Sequence, residues 1–386
     1  MKINNIVAIL MLLCGTFSVK TADAQTLNEV KDVIVRVNDA WQQAHPAPEY
    51  GGSKKGMSAF WDNAVYHTGN MEVVRLFREL NDDAAKRWYD YSFAWAERNN
   101  WCGATESDPT KWKYKNYGEK PEYVLFGDWQ ICFQTYIDLY NLADAKDDHW
   151  IARAKEVMGY EAHSEATDYW WWADALYMVM PVMTKMYLLT GDKAYLDKMI
   201  ANWQHANSIM YDCKTGLYFR DGKYVYPKHK TAAGKKDFWA RGDGWVMAAF
   251  AKVLGDVDNK ECRKYYKKMS KAVVACQQKE GHWTRSIHDP AQAPGYETSG
   301  TALMCYSLFW GINNNVLPRK YEKAALKAWH YLYTVALQPD NTIGYVQPIG
   351  EKAIPGQVVD KQSQANFGTG AFLLAASEYA RYLSKK

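Results

Sequence analysis

Apolar residues recur three and four positions apart along most of this 386-residue chain, the spacing of α-helices with a buried face. The pattern predicts twelve helices, near 26–44, 61–77, 80–99, 128–142, 147–160, 171–190, 192–210, 241–255, 258–279, 297–313, 318–337 and 365–384. Strand signals are confined to short pieces such as Gly216 to Phe219 and Gly344 to Val346. Within successive helix pairs the links are mostly long (100–127, 211–240, 280–296 and 338–364), and between pairs they are short. Gly191-Asp192 and Gly255-Asp256 are the clearest short links, the glycine expected to end one helix left-handed and the aspartate to begin the next. If successive helices are antiparallel neighbours, every long loop falls at one end of the molecule, where a site would be built. Six such hairpins closing on themselves make an all-α (α/α)6 barrel. An open solenoid or two separate bundles are the competing all-α arrangements. A solenoid would show a recurring period with capping repeats, whereas self-similarity here is weak. No Pro/Ser-rich linker divides the chain, so a single domain over residues 25–386 is expected.

Residues 1–24 change the picture at the N-terminus. Lys2, an apolar run from Ile6 to Leu13 and Ala22-Asp23-Ala24 have the order of a secretory signal with a small-residue cleavage site. The run is too short to span a bilayer, which takes about 20 residues, and no later segment is apolar enough. A soluble, exported protein, periplasmic or secreted, is expected. Anchoring through Cys14 is the second reading, because Leu12-Leu13 precede it instead of small residues. The other cysteines, Cys102, Cys132, Cys213, Cys262, Cys276 and Cys305, form no C-x-x-C pair, so no metal is expected. Disulfides are permitted by export, and burial as small hydrophobes is the competing reading.

The net charge of +4 comes from 47 basic and 43 acidic residues with the signs interspersed. A nucleic-acid binder would gather its lysines and arginines into one stripe, so no nucleic-acid partner is expected. The aromatic content is unusual, with 17 Trp and 28 Tyr against 12 Phe. Such polar-tipped rings suit surfaces that are part apolar and part hydrogen-bonding.

The densest aromatic and polar groups fall at the starts of the even-numbered helices. They are Trp61-Asp62-Asn63 leading to Tyr66-His67-Thr68-Gly69-Asn70, Gly127-Asp128-Trp129-Gln130, Trp170-Trp171-Trp172-Ala173-Asp174, Phe238-Trp239-Ala240-Arg241-Gly242-Asp243-Gly244-Trp245, Tyr296-Glu297-Thr298-Ser299-Gly300-Thr301 and Phe367-Gly368-Thr369-Gly370. In a closed barrel all six meet at one mouth. Free N–H groups and partial positive charge at helix N-termini make that mouth favourable to an anion.

Two carboxylates recur there, Asp128 and Asp174. Burial and mutual repulsion in an aromatic pocket raise the pKa of one of such a pair and divide acid from base. An N-cap is the competing reading for Asp128, whereas an unpartnered Asp174 inside an apolar run is costly and points to chemistry. Arg241 offers a planar fork for a substrate carboxylate, against a structural ion pair. Trp172, Trp239 and Trp245 are candidate sugar-stacking faces, against core packing. His67 is a candidate polar or proton-transfer group, against a satisfied helical histidine. Glu297 is a further candidate, although a helix start attracts an acid by its dipole alone. H-E-x-x-H, phosphate-loop and strand-linked G-x-G-x-x-G motifs are absent from the sequence, and no cofactor is expected.

These stretches, with YHTGNMEV from Tyr66, WWWADALYMVMPVMTKMYLLTGD from Trp170, FWARGDGWVMAAFAKVL from Phe238, YETSGTALMCYSLFWGIN from Tyr296, GYVQP from Gly344 and FGTGAFLLAASEYAR from Phe367, resemble the unsaturated glycuronyl and rhamnogalacturonyl hydrolases of glycoside hydrolase families 105 and 88, family 105 more closely. The resemblance implies an (α/α)6 barrel acting on oligosaccharides left by polysaccharide lyases, with unsaturated galacturonyl-rhamnose from rhamnogalacturonan as the substrate expected first. It implies Asp174 as general acid and base, Asp128 as the second aspartate, and Trp172, Trp239, Arg241 and Trp245 around the sugar. The implied reaction is hydration of the C4=C5 vinyl ether, not displacement at the anomeric carbon. Arg220 stands where many members carry a histidine, and Asp243 replaces the asparagine of R-G-N-G-W. Unsaturated glucuronyl hydrolysis, as on ulvan or glycosaminoglycan fragments, and saturated glycuronidase activity are the alternatives on the same fold. A non-catalytic glycan-binding protein is the alternative class. A monomer or weak dimer, with uronic-acid oligosaccharides as its only partners, is expected.

Overall fold

A computed structural model describes residues 25–47 and 58–386, and the expected export signal with Cys14 lies outside them. Among the described residues the α-helices are α1 (Leu27–Ala44), α2 (Trp61–Glu79), α3 (Ala84–Arg98), α4 (Gly127–Gln130), α5 (Cys132–Leu142), α6 (His149–His163), α7 (Ala173–Thr190), α8 (Ala194–Met210), α9 (Ala240–Asp256), α10 (Lys260–Ala275), α11 (Thr298–Asn313), α12 (Glu322–Tyr331) and α13 (Asn366–Ser384). A two-stranded hairpin, β1 (Tyr211–Asp212) and β2 (Leu217–Tyr218), is antiparallel, with Tyr211 opposite Tyr218.

The helices form two concentric rings. The inner one runs from α2 through α4 and α5 to α7, α9, α11 and α13, and it closes because α13 packs back on α2. Outside it, α3 lies on α2, α6 and α8 flank α5 and α7, α10 lies on α9, α12 on α11 and α1 on α13. The sequence separates the rings. The outer α1 buries only Val30, Val33, Ile34, Val37, Asn38 and Trp41, one helical face, whereas every residue of α11 from Thr298 to Ile312 is buried. Glycine permits close approach between inner helices: a Cβ on Gly69 of α2 would collide with the carbonyl oxygen of Gly370 on α13.

Several expected boundaries move. Trp170 to Trp172 stay extended, because Trp172 forms a bridge with Asp221, and α7 starts only at Ala173. Gly191 does end α7 left-handed, at φ 72°, and Asp192 Oδ1 accepts from the Ala194 amide at 2.9 Å. The matching expectation for Gly255-Asp256 fails. Both residues lie inside α9, whose C-cap is Val257, and it is the Asn259 side chain that caps α10. A Cβ at Gly255 would only touch the Trp310 indole at ordinary contact distance. Gly344 to Val346 is not a strand. The final outer helix is three pieces, a 3-10 turn (Arg319–Tyr321), α12 and a π-helical turn (Leu332–Ala336). All six cysteines from Cys102 onward are free, with Cys132, Cys262 and Cys305 buried. No described helix is long and apolar enough to cross a membrane.

Candidate active site

One construction recurs at three inner-helix entries. A long loop returns and clips the backbone of the preceding helix start: the Ala173 amide donates to the Arg220 carbonyl at 2.7 Å, the Ala240 amide to Arg285 at 2.9 Å and the Thr298 amide to Tyr345 at 2.9 Å. The loops therefore supply side chains beside residues in the first helical turns. The first clip brings Arg220 to Asp174.

Asp174 lies in the first turn of α7 and is buried. Arg220 Nε is 3.4 Å from its Oδ2, an ion pair without hydrogen-bond alignment, and that oxygen has no hydrogen-bond partner among the described residues. Burial raises the Asp174 pKa, while Arg220 and Arg241 work against the rise. Asp128, in the first turn of α4, makes no hydrogen bond to a described residue and caps no helix, since Phe126 holds the N-cap position. Burial pushes its pKa well above the ordinary carboxylate range, and the charges of Asp174 and Asp62 push further. Two arginines favour ionised Asp174, whereas one arginine and two acids surround Asp128. The upward push on the pKa is therefore stronger at Asp128 than at Asp174, where Asp221 alone among the neighbouring charges adds to burial.

The other candidates divide into those that meet this pair and those that do not. Arg220 Nη1 donates to Asp221 at 2.7 Å and Glu351 at 3.2 Å, so three carboxylates share its charge. The Arg241 guanidinium lies between the rings of Trp239 and Phe367, 4.5 and 4.7 Å from their centroids. Its fork donates to the carbonyls of Gln347 at 2.7 Å and Pro348 at 2.9 Å, which fastens the 338–365 loop over the mouth. Trp239 Nε1 donates to Gln347 Oε1 at 2.8 Å. Glu297 is the N-cap of α11, accepting from the amides of Ser299 at 3.0 Å and Gly300 at 2.7 Å. Trp172 is buried against Phe126 and Trp171, with centroids 4.6 and 4.4 Å away.

Two candidates lie elsewhere. Trp245 is buried inside the ring against Tyr177 at 4.7 Å. His67 faces outward to α3, with Nδ1 2.9 Å from the Ser92 hydroxyl and its ring stacked on Trp95 at 3.9 Å. Burial drives its pKa well down, so it is neutral. No described contact joins it to either aspartate.

Sequence reasoning missed several neighbours. Glu351 sits in a loop with no periodicity to mark it. Asp62 and Phe367 stand inside stretches singled out by composition, but only the packing of the inner helices brings them to Asp128 and Arg241. Glu161 accepts from Gln130 and Asn202, both at 2.9 Å, and so braces α4, the helix of Asp128. Beside Arg220 a cavity of about 530 Å³ opens, lined by Tyr117, Phe126, Trp171, Arg220, Lys223 and Glu351 among others.

Comparisons with known proteins agree with this architecture. An unsaturated 3S-rhamnoglycuronyl hydrolase from Formosa agariphila is 29% identical over 97% of both chains. Two solved structures superpose with TM-scores of 0.86: a glycosyl hydrolase family 88 protein from Bacteroides vulgatus, 54% identical over 93% of this chain and all of that one, and a protein described as a polysaccharide lyase, 55% identical over 93% of this chain and 99% of its own. The pattern of Glycosyl Hydrolase Family 88 matches residues 33–383, and the chain belongs to that family of glycoside hydrolases.

Proposed function

We propose that the protein removes a non-reducing-end uronic acid with a C4=C5 double bond from lyase-generated oligosaccharides, and that the sugar next to it is rhamnose. The carrying observation is the buried Asp174 and Asp128 pair facing Arg220 at the helix-start mouth. The name of the Formosa relative supports both the unsaturated uronyl group and rhamnose.

The uronate carboxylate enters beside Arg220, the cation nearest Asp174, while Arg241 holds the loop above and adds positive field. Pairing with that carboxylate takes from Asp174 the charge that keeps it ionised. Substrate binding thereby favours the protonated form of Asp174, which the chemistry needs. Asp174 protonates C4, and the cation left at C5 is stabilised by the ring oxygen. Water, positioned by Asp128, adds at C5 and returns a proton to the carboxylate. The hemiketal opens and the bond to the neighbouring sugar breaks. No covalent intermediate with the protein forms, so the carboxylate spacing rules for ordinary glycosidases do not govern this pair. The departing sugar occupies the cavity beside Arg220, its apolar face on Trp171.

The test is the ultraviolet absorbance of the double bond, followed on unsaturated uronyl-rhamnose disaccharides with and without sulfate and on glucuronyl and galacturonyl forms. Hydration makes the absorbance fall. A rise on intact polysaccharide would show elimination, the chemistry in the name of the 55% identical structure, and would overturn this reading.

A further inference from the structure

Away from the mouth a groove of about 910 Å³ runs between the 279–296 loop and the outer helix α12. Its floor is apolar, from Leu326, Val335 and the rings of Tyr296 and Tyr331. Its wall carries Lys279, Lys320, Lys323 and Lys327, none of which makes an ion pair among the described residues, whereas its two acids are engaged. Glu280 accepts from the Tyr296 hydroxyl at 2.9 Å, and Glu322 is held by Tyr382 and by Arg319 at 3.7 Å. Lys323, Lys327 and His330 recur at three- and four-residue spacing on α12, with Lys320 one turn earlier in the 3-10 turn that leads into it, so they share one face. With Thr334 they trace a stripe about 20 Å long.

The stripe has a direction. At its lower end Glu322 meets Tyr382, close to the far end of α13. At its upper end Tyr331 contacts Thr298, the first residue of α11, at 2.9 Å. Tyr296 there packs on Tyr345 at 5.2 Å, at the root of the loop that Arg241 holds. The groove thus leads along the outside of the barrel to the rim of the mouth.

We propose that this groove is a second binding site, for a uronic-acid polysaccharide chain. Three unpaired ammonium groups in a row, with Lys279 facing them from the loop, match repeating carboxylates, the half-buried Tyr296 ring offers a face for a sugar, and continuity with the rim fits a glycan better than another polyanion. The choice of uronate rests on the function proposed above, whereas the site itself does not involve Asp174.

Affinity electrophoresis of the whole protein in gels containing polygalacturonate tests this, with neutral dextran as control and vesicles of anionic phospholipid as a separate arm. The wild type is expected to be retarded by polygalacturonate alone, less so as salt rises. Combining Lys320→Glu, Lys323→Glu and Lys327→Glu is expected to weaken retention about tenfold or more, with turnover of an unsaturated disaccharide unchanged. The corresponding Lys→Gln triple variant serves if charge reversal prevents folding. Undiminished retention in a folded triple variant, equal retardation by dextran, or binding to vesicles but not to polygalacturonate would each overturn the proposal. Loss of disaccharide turnover by the wild type would count against the proposed reaction and leave this site standing.

Discussion

At the scale of single residues the site separates two acids that composition makes identical. Asp174 faces Arg220 at 3.4 Å, and Asp128 faces two other carboxylates. Asp174→Asn is expected to keep the fold and lose about 1,000-fold or more in kcat, the scale of an essential proton donor, measured by the decay of double-bond absorbance. In the reaction proposed above Asp174 starts protonated, so kcat should fall as pH rises through its raised pKa. A profile flat from acid to alkaline pH would sink the assignment. Trp171→Ala should raise KM for substrates with a bound neighbouring sugar while leaving kcat nearly unchanged, since in the proposed binding mode its ring, which lines the cavity beside Arg220, meets only the departing part. Asp243 gives a stability counterpart. It is fully buried on α9, one oxygen accepting from the Tyr218 amide at 2.9 Å and the other unpartnered among the described residues, and burial raises its pKa well above normal. The folded state therefore binds a proton that the unfolded state releases, and its stabilising share is present below the unfolded pKa of about 3.9 and lost as pH rises. Asp243→Asn should make the decline of Tm between acidic and neutral pH shallower, and an unchanged slope would show that the carboxyl is ionised in the fold.

At the scale of elements, the helix starts and the loops that clip them act together. An inner helix delivers an acid or an arginine in its first turn, and the returning loop pins the backbone beside it, as Ala173 to Arg220 shows at 2.7 Å. The ends remote from the mouth carry ordinary caps. Asn259→Ala should cost about 1 kcal/mol from the lost cap of α10, read in thermal unfolding, with kcat unaltered. Gly69→Ala is a sharper case. Its Cβ would meet backbone of α13, which cannot rotate away as a side chain does, so a loss of about 1–3 kcal/mol or more is expected, together with reduced activity, because α2 and α13 both end at the mouth.

At the scale of the whole molecule, closure is what distinguishes this chain from a stack of hairpins. The last inner helix packs on the first, and α1 packs on the last, so residues near both chain ends share one seam. Trp41 Nε1 donating to Asn366 Oδ1 at 3.2 Å belongs to it. A closed ring has no terminal repeat that can fray alone, unlike an open solenoid. Thermal unfolding should therefore be one cooperative transition, and truncation before Asn366 should remove the folded state entirely, as circular dichroism would record.

Helical period and loop lengths were enough to place twelve helical segments, although 128–142 divides into α4 and α5 and 318–337 into three pieces, because periodicity and capping act over a few residues and are written in local sequence. The burial of Asp174 was legible for the same reason, since a carboxylate inside an apolar run has no cheap local explanation. What the tertiary structure alone decided are matters of contact between distant segments. It turned His67 outward onto α3, used the Arg241 fork to hold a loop, gave Glu297 to a helix cap, and set Glu351 on Arg220 from 131 residues away. A side chain's charge and type are local, but its partners depend on how the ring closes, and closure is a property of the whole chain.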